Sequence, residues 1–114
     1  MESGYSDCET LEALERLIAT RSALAVWFSG GPECGVCRVL QPKIAALMRD
    51  RFPRIGLYRV DGTVHPDIAA AHRVFAVPTL LVFFDGREWI RHSRNLSLGR
   101  LQAEIERPYR LAFT

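Results

Sequence analysis

Apolar residues along the chain switch between two spacings, one typical of helices and one typical of strands. Helical spacing, with apolar residues three or four positions apart, occupies residues 8–19, 37–52, 66–72 and 97–105. Short apolar or strand-forming runs occupy residues 23–28, 55–60, 79–84 and 87–94. This order predicts an α/β fold with a mixed central sheet, in which a parallel βαβ unit precedes an antiparallel hairpin and helices cover both faces.

Turn residues divide these segments. Pro53 ends the second helical stripe because proline cannot continue the hydrogen-bond ladder, and Asp61-Gly62 follows the second strand. Asp85-Gly86 is a hairpin signal between the last two strands. We find no internal repeat, linker or low-complexity tract, so the 114 residues (1–114) are expected to form a single domain with one core.

Composition and charge narrow the function classes. With 48% hydrophobic and 25% charged residues, the sequence is typical of a soluble globular protein. A net charge of +2 with scattered Lys and Arg argues against a nucleic-acid partner. The polar, acidic start lacks the pattern of a secretory signal, and no segment has the roughly eighteen apolar residues of a membrane span. We therefore expect a cytoplasmic monomer without membrane contact.

The candidate chemistry lies in Cys34-Gly35-Val36-Cys37, which follows an apolar run and opens a helical pattern. Two thiols at this spacing can close into a disulfide. The partial positive charge of a helix N-terminus stabilises a thiolate at Cys34, which makes that sulfur the expected nucleophile. Cys37, one turn further along, is placed to resolve a mixed disulfide.

A Cys-x-x-Cys pair is also half of many zinc sites, so a structural metal is the first alternative. Tetrahedral zinc needs four ligands, usually as two close pairs. The other candidates, Cys8, His65, His72 and His92, are scattered singly, which disfavours a metal site. Cys8 is expected to be a small apolar residue on the inner face of the first helix.

The order of elements and five short sequence features, called anchors here, resemble the thioredoxin family over nearly the whole chain. The anchors are Cys34-Gly35-Val36-Cys37, Pro42, Asp61, Val77-Pro78-Thr79 and Asp85-Gly86. The resemblance implies a thiol-disulfide oxidoreductase that needs no bound cofactor beyond the redox-active disulfide and exchanges disulfides with protein substrates and a reductase. It further implies that Pro78 is cis and that the Val77 backbone, with Pro78 and Thr79, positions an extended substrate segment over Cys34.

The chain also departs from the family pattern near the resolving thiol. The family has a buried carboxylate on the strand before the motif and a lysine on the neighbouring strand, and together they move protons for that thiol. Here Trp27 or Phe28 falls at the carboxylate position, depending on a one-residue gap, and Leu57 at that of the lysine. Deprotonation of Cys37 must then rely on water or on a rearranged group.

Three further departures surround the motif. Glu33 replaces a tryptophan, Val36 replaces a proline, and Arg94 stands where the family has a glycine before the last helix. A carboxylate at Glu33 opposes a Cys34 thiolate, although it is equally typical of a solvated first-turn acid. Arg94 either favours acidic clients or faces solvent.

Two other functions fit parts of this sequence. The absence of the family's buried carboxylate and lysine favours a thioredoxin-fold binding module or redox sensor with little general reductase activity. The intact cysteine pair argues against this alternative. A glutathione-dependent, glutaredoxin-like enzyme lacks support because neither Gly35 nor Val36 is the aromatic residue usual in that group.

Overall fold

The computed structural model describes residues 4–114, and this part of the chain forms five strands and four helices. Strands β1–β5 span Ser6–Asp7, Ala23–Ser29, Gly56–Asp61, Thr79–Phe84 and Arg87–Ser93. Helices α1–α4 span Leu11–Thr20, Gly35–Arg51, Pro66–Ala71 and Leu98–Ala112.

The strands form one mixed sheet in the order β1-β3-β2-β4-β5. Strand β2 lies at its centre, parallel to β3 on one side and antiparallel to β4 on the other. Strand β5 completes the sheet as the antiparallel partner of β4. The predicted βαβ unit and hairpin are both confirmed.

Alternation along β2 sends its side chains to two cores, one on each face of the sheet. Ala25 and Trp27 pack with residues of α2 and α4, whereas Val26 and Phe28 pack with residues of α1 and α3. Every residue of β2 is buried, as expected for a strand covered on both faces. The predicted placement of helices on both faces is therefore confirmed.

The structure corrects the start of the first helix. Helix α1 begins at Leu11, because the Thr10 side chain caps it by accepting a hydrogen bond from the Ala13 N–H at 3.1 Å. Cys8 therefore precedes the helix and does not lie on its inner face. It is nevertheless 4% exposed and packs in the core shared by α1 and α3, so its apolar role stands.

Two other elements differ from the expectation. Strand β1 is only two residues long and both are exposed, so no hydrophobic pattern announces it. Helix α4 runs past Ile105 to Ala112 and contains Pro108. The buried Pro108 ring and the contact of Tyr109 with Phe52, at 5.0 Å between ring centroids, hold this extension against the core.

Within residues 4–114, none of the helices has the length and apolar character needed to cross a membrane.

Candidate active site

The two cysteines of the motif lie at the junction between β2 and α2. Cys34 is the N-cap residue of α2, and it forms a disulfide with Cys37 across a Cα–Cα distance of 5.2 Å. The Cys34 Sγ accepts a hydrogen bond from the Cys37 N–H at 3.3 Å, and the Cys37 Sγ accepts one from the Gly30 N–H at 3.4 Å. Backbone N–H groups thus face both sulfurs and can stabilise negative charge on either one.

The two sulfurs differ in access to solvent. Cys34 is half-buried, whereas Cys37 is only 1% exposed. Cys34 is therefore the more accessible of the two residues in the disulfide. The remaining thiol, Cys8, is a poor competitor, since burial raises its pKa and keeps it protonated at neutral pH.

The loop before β4 lies directly against the disulfide. Its Val77-Pro78 peptide bond is cis. Gly30 separates this loop from Cys34, and a Cβ atom added to it would lie 2.8 Å from the Val77 Cγ2 and 3.1 Å from the Cys34 Cβ. Only glycine fits at this position, so Gly30 allows Val77 to approach Cys34 closely.

Thr79 has a different position from that of Val77. Val77 is 40% exposed, but Thr79, the first residue of β4, is fully buried. The Thr79 hydroxyl donates to the Ala76 carbonyl at 2.6 Å and lies 2.9 Å from the Ser93 Oγ. These two contacts tie the cis-proline loop to its neighbours.

Arg94 and Val36 line the same groove beside the disulfide. The groove separates the start of α2 from the loop that precedes α4, and its other lining residues are Gly35, Val39, Leu40, Asn95, Leu96 and Ser97. Arg94 adopts a left-handed backbone conformation with φ of 64°, and its N–H donates to the Pro78 carbonyl at 2.9 Å. Glu33 is exposed and lines neither this groove nor the cavity described next.

The structure also shows which residue occupies the place of the family's buried carboxylate. Trp27, not Phe28, shares the core cluster that contains Cys37, and Leu57 packs at the edge of the same cluster. The Trp27 Nε1–H donates to the Gln41 Oε1 at 3.0 Å. An indole N–H cannot accept a proton, so neither Trp27 nor Leu57 can serve as a base for Cys37.

On the other side of Cys37 lies a cavity of about 430 Å³ between β3, the start of α2 and the segment after β1. Ser29 and Gly31, both small, form part of its wall. Sequence reasoning missed this cavity, Gly30 and Gln41. The Gly30-Gly31 pair before the motif was the one available signal for a close approach of two chain segments.

No group of three or more His, Cys, Asp or Glu residues within 4–114 is arranged to hold a metal ion. Cys34 and Cys37 are joined to each other in a disulfide.

Comparison with known proteins identifies the family. The thioredoxin family model matches residues 8–107. The chain belongs to the thioredoxin family. The Bacillus subtilis thioredoxin-like protein YdfQ is 31% identical over 102 residues, a match that covers 90% of this chain and 89% of that protein.

Two solved thioredoxins show the same architecture. Mitochondrial thioredoxin 3 of Saccharomyces cerevisiae, in its oxidized form, superposes with a TM-score of 0.81 at 22% identity, covering 92% of this chain and 99% of the other. The Fasciola hepatica thioredoxin superposes with a TM-score of 0.70 at 32% identity, covering 85% and 89% of the two chains.

Membership of the thioredoxin family and the Cys34-Cys37 disulfide identify a thiol-disulfide oxidoreductase. Thioredoxin family proteins use a redox-active disulfide and need no cofactor, act on protein disulfides, and are reduced by reductases.

Proposed function

We propose that this protein reduces disulfides of client proteins by a two-step exchange that begins at Cys34. The observation that carries the proposal is the difference in exposure between the two sulfurs, since Cys37 is 1% exposed and Cys34 is half-buried. In the reduced protein, the Cys34 thiolate attacks one client sulfur and the second client sulfur leaves as a thiolate. Cys37 then attacks Cys34 and releases the first client sulfur. The client gains two electrons, and the protein becomes the disulfide seen in the structure.

The cis-proline loop supplies the docking surface in this proposal. Within residues 4–114, nothing hydrogen-bonds to the peptide N–H or carbonyl of Val77, and this residue is 40% exposed. An extended client segment can pair with these free backbone groups as an added strand. Because Val77 and Cys34 meet across Gly30, such pairing brings a client sulfur to Cys34. The cis Pro78 shapes this loop, and Thr79 acts as a positioning residue through its bonds to Ala76 and Ser93.

The groove beside the disulfide gives the site its selectivity. Val36 and Val39 are 53% and 58% exposed and offer apolar contacts to residues that flank the client cysteine. Arg94 adds a positive charge at the rim of the same groove. We assign to Arg94 a preference for acidic flanks, and to the exposed Glu33 the role of a solvated first-turn acid. The protein acts in this proposal as a cytoplasmic, single-domain monomer, served by a reductase of that compartment.

Trapping tests the order of attack. The Cys37→Ser variant should accumulate a client as a mixed disulfide on Cys34, because the resolving sulfur is absent. The measurement is mass mapping of the adduct formed with insulin under non-reducing conditions. The matched Cys34→Ser variant should form no adduct, since Cys37 is buried. An adduct on Cys37 or Cys8, or none with either variant, would contradict the proposal and favour a binding module.

Removing the Arg94 charge should reduce the preference for acidic clients. Arg94→Asn keeps a residue that tolerates the left-handed conformation while removing the cation. We expect the ratio of kcat/KM for acidic over basic disulfide peptides to fall by about two- to fivefold at low salt, the range of an exposed charge pair. Added salt should shrink the wild-type preference as well. Arg87→Asn, which removes the same charge at the hairpin, is the control, and an equal fall there would refute selection by Arg94.

A further inference from the structure

Within residues 4–114, a cavity beside Cys37 is lined by several ionisable side chains. It measures about 430 Å³, enough for several water molecules, and Cys37 forms part of its wall. His65, the N-cap residue of the short helix α3, forms another part. The remaining charged or titratable groups of the wall are Asp7, Cys8, Glu9, Arg38, Arg59 and Asp61.

Resolution requires the Cys37 thiol to lose its proton, and the core side of this residue offers no base. Trp27 belongs to the same core cluster as Cys37, and its indole N–H donates to the Gln41 Oε1. The proton must therefore leave through the cavity. A group that takes a proton from a thiol near neutral pH works best when its own titration falls in that range, which among ordinary side chains is a property of imidazole.

Four of the other charged groups in the cavity wall are less suited to this transfer. The Asp7 carboxylate forms an ion pair with Arg59 at 2.8 Å. Asp61 accepts hydrogen bonds from the Thr63 N–H and hydroxyl at 2.9 and 2.6 Å, and these bonds hold its pKa below the ordinary value. A carboxylate so stabilised is a weak proton acceptor. Arg38 and Arg59 are permanent cations and can only donate hydrogen bonds.

Within residues 4–114, the His65 ring has no hydrogen-bond partner, and it lies near the negative charge of Asp61. The His65 side chain makes no capping bond to α3, and no other group within residues 4–114 hydrogen-bonds to the ring. Asp61 lies close enough to His65 for the two groups to interact electrostatically. The Asp61 carboxylate also lies beside Gly31, in the segment between β2 and Cys34. The negative charge of Asp61 stabilises the imidazolium that forms when His65 gains a proton.

We propose that His65 is the proton acceptor for Cys37 during resolution, acting through water in this cavity, with Asp61 as the charge that stabilises the protonated ring. The inference rests on the proposed roles of Cys34 and Cys37. As the Cys37 Sγ forms its bond to the Cys34 Sγ, the thiol proton passes through water to His65. The bond between Cys34 and the client breaks, and its electron pair leaves with the client thiolate. That thiolate, or solvent, later receives the proton.

The test isolates resolution from the first attack. The reduced protein is converted at low pH to the mixed disulfide of Cys34 with 2-nitro-5-thiobenzoate, the pH is raised in a stopped-flow mixer, and release of the coloured thiolate is followed. His65→Asn should slow release by about tenfold or more at pH 7 and change the shape of the pH–rate profile, because the proton acceptor is removed. Asparagine is a favourable N-cap, so this variant keeps α3. His72→Asn, the same change at the C-cap of α3, should release at the wild-type rate.

Rescue separates proton transfer from a structural effect. In His65→Ala, added imidazole should restore release in proportion to its concentration. A wild-type release rate in His65→Asn would overturn the inference. So would slow release with an unchanged pH profile, or a failure of imidazole to rescue His65→Ala. The proposed function fails separately, if mass mapping places the starting adduct on a sulfur other than Cys34.

Discussion

Replacing Cys34 by Ser should abolish the reduction of insulin disulfides. A hydroxyl is far less nucleophilic than a thiolate at neutral pH, and the other sulfur of the pair is 1% exposed and cannot take over. We expect the catalysed rate with dithiothreitol as reductant to fall by on the order of a thousandfold, to the uncatalysed background.

Cys8→Ala is the matched control for this loss of a thiol. Cys8 is 4% exposed and packs with the core residues of α1 and α3, and although it borders the cavity beside Cys37, it has no role in the proposed exchange. Its replacement should leave the catalysed rate close to wild type. A Cys34→Ser variant that keeps a tenth or more of the wild-type rate would show that another group begins the exchange.

Replacing Trp27 by Ala should lower the free energy of unfolding by about 3–5 kcal/mol, the usual cost of truncating a large buried aromatic residue. Trp27 is 0% exposed at the centre of the core under α2 and α4. The change opens a cavity and also leaves the Gln41 amide without the indole N–H. Small domains have only about 5–15 kcal/mol of stability, so the loss is a large share of the total.

Urea unfolding of the oxidised protein measures this loss, with Trp89→Ala as the matched control. Trp89 is 56% exposed on β5 and contacts Phe84 edge to face at 6.3 Å. Its truncation should cost at most about 1 kcal/mol. Equal losses for the two variants would contradict the placement of Trp27 in the core.

Much of the fold follows from local sequence. The uninterrupted apolar run before the motif predicts a strand buried on both faces, and β2 is that strand. The hairpin follows from Asp85-Gly86 between two strand-forming runs, and both glycine and aspartate there adopt positive φ. The sequence does not predict strand β1. Its two residues are exposed, and they form a strand only because they pair with β3, which is a tertiary contact.

The site was predictable where chemistry resides in a short motif and unpredictable where it depends on packing. Cys34, Cys37 and the cis Pro78 follow from the motif and the family resemblance. Sequence alone could not decide whether Trp27 or Phe28 takes the place of the family's buried carboxylate. Neighbouring residues of a strand face opposite sides of a sheet, so the answer required the register of β2. The cavity beside Cys37 and His65 is formed by three separate segments of the chain, and no local sequence pattern predicts that these segments lie together.

The central claim is that Cys34 begins the exchange and Cys37 ends it. The most direct measurement is the order in which the thiols of the fully reduced protein react with limiting iodoacetamide at neutral pH, read by mass mapping of peptides from each cysteine. We expect Cys34 to be modified first, because burial protects Cys37 and Cys8. Modification of Cys37 or Cys8 before Cys34 would contradict this claim.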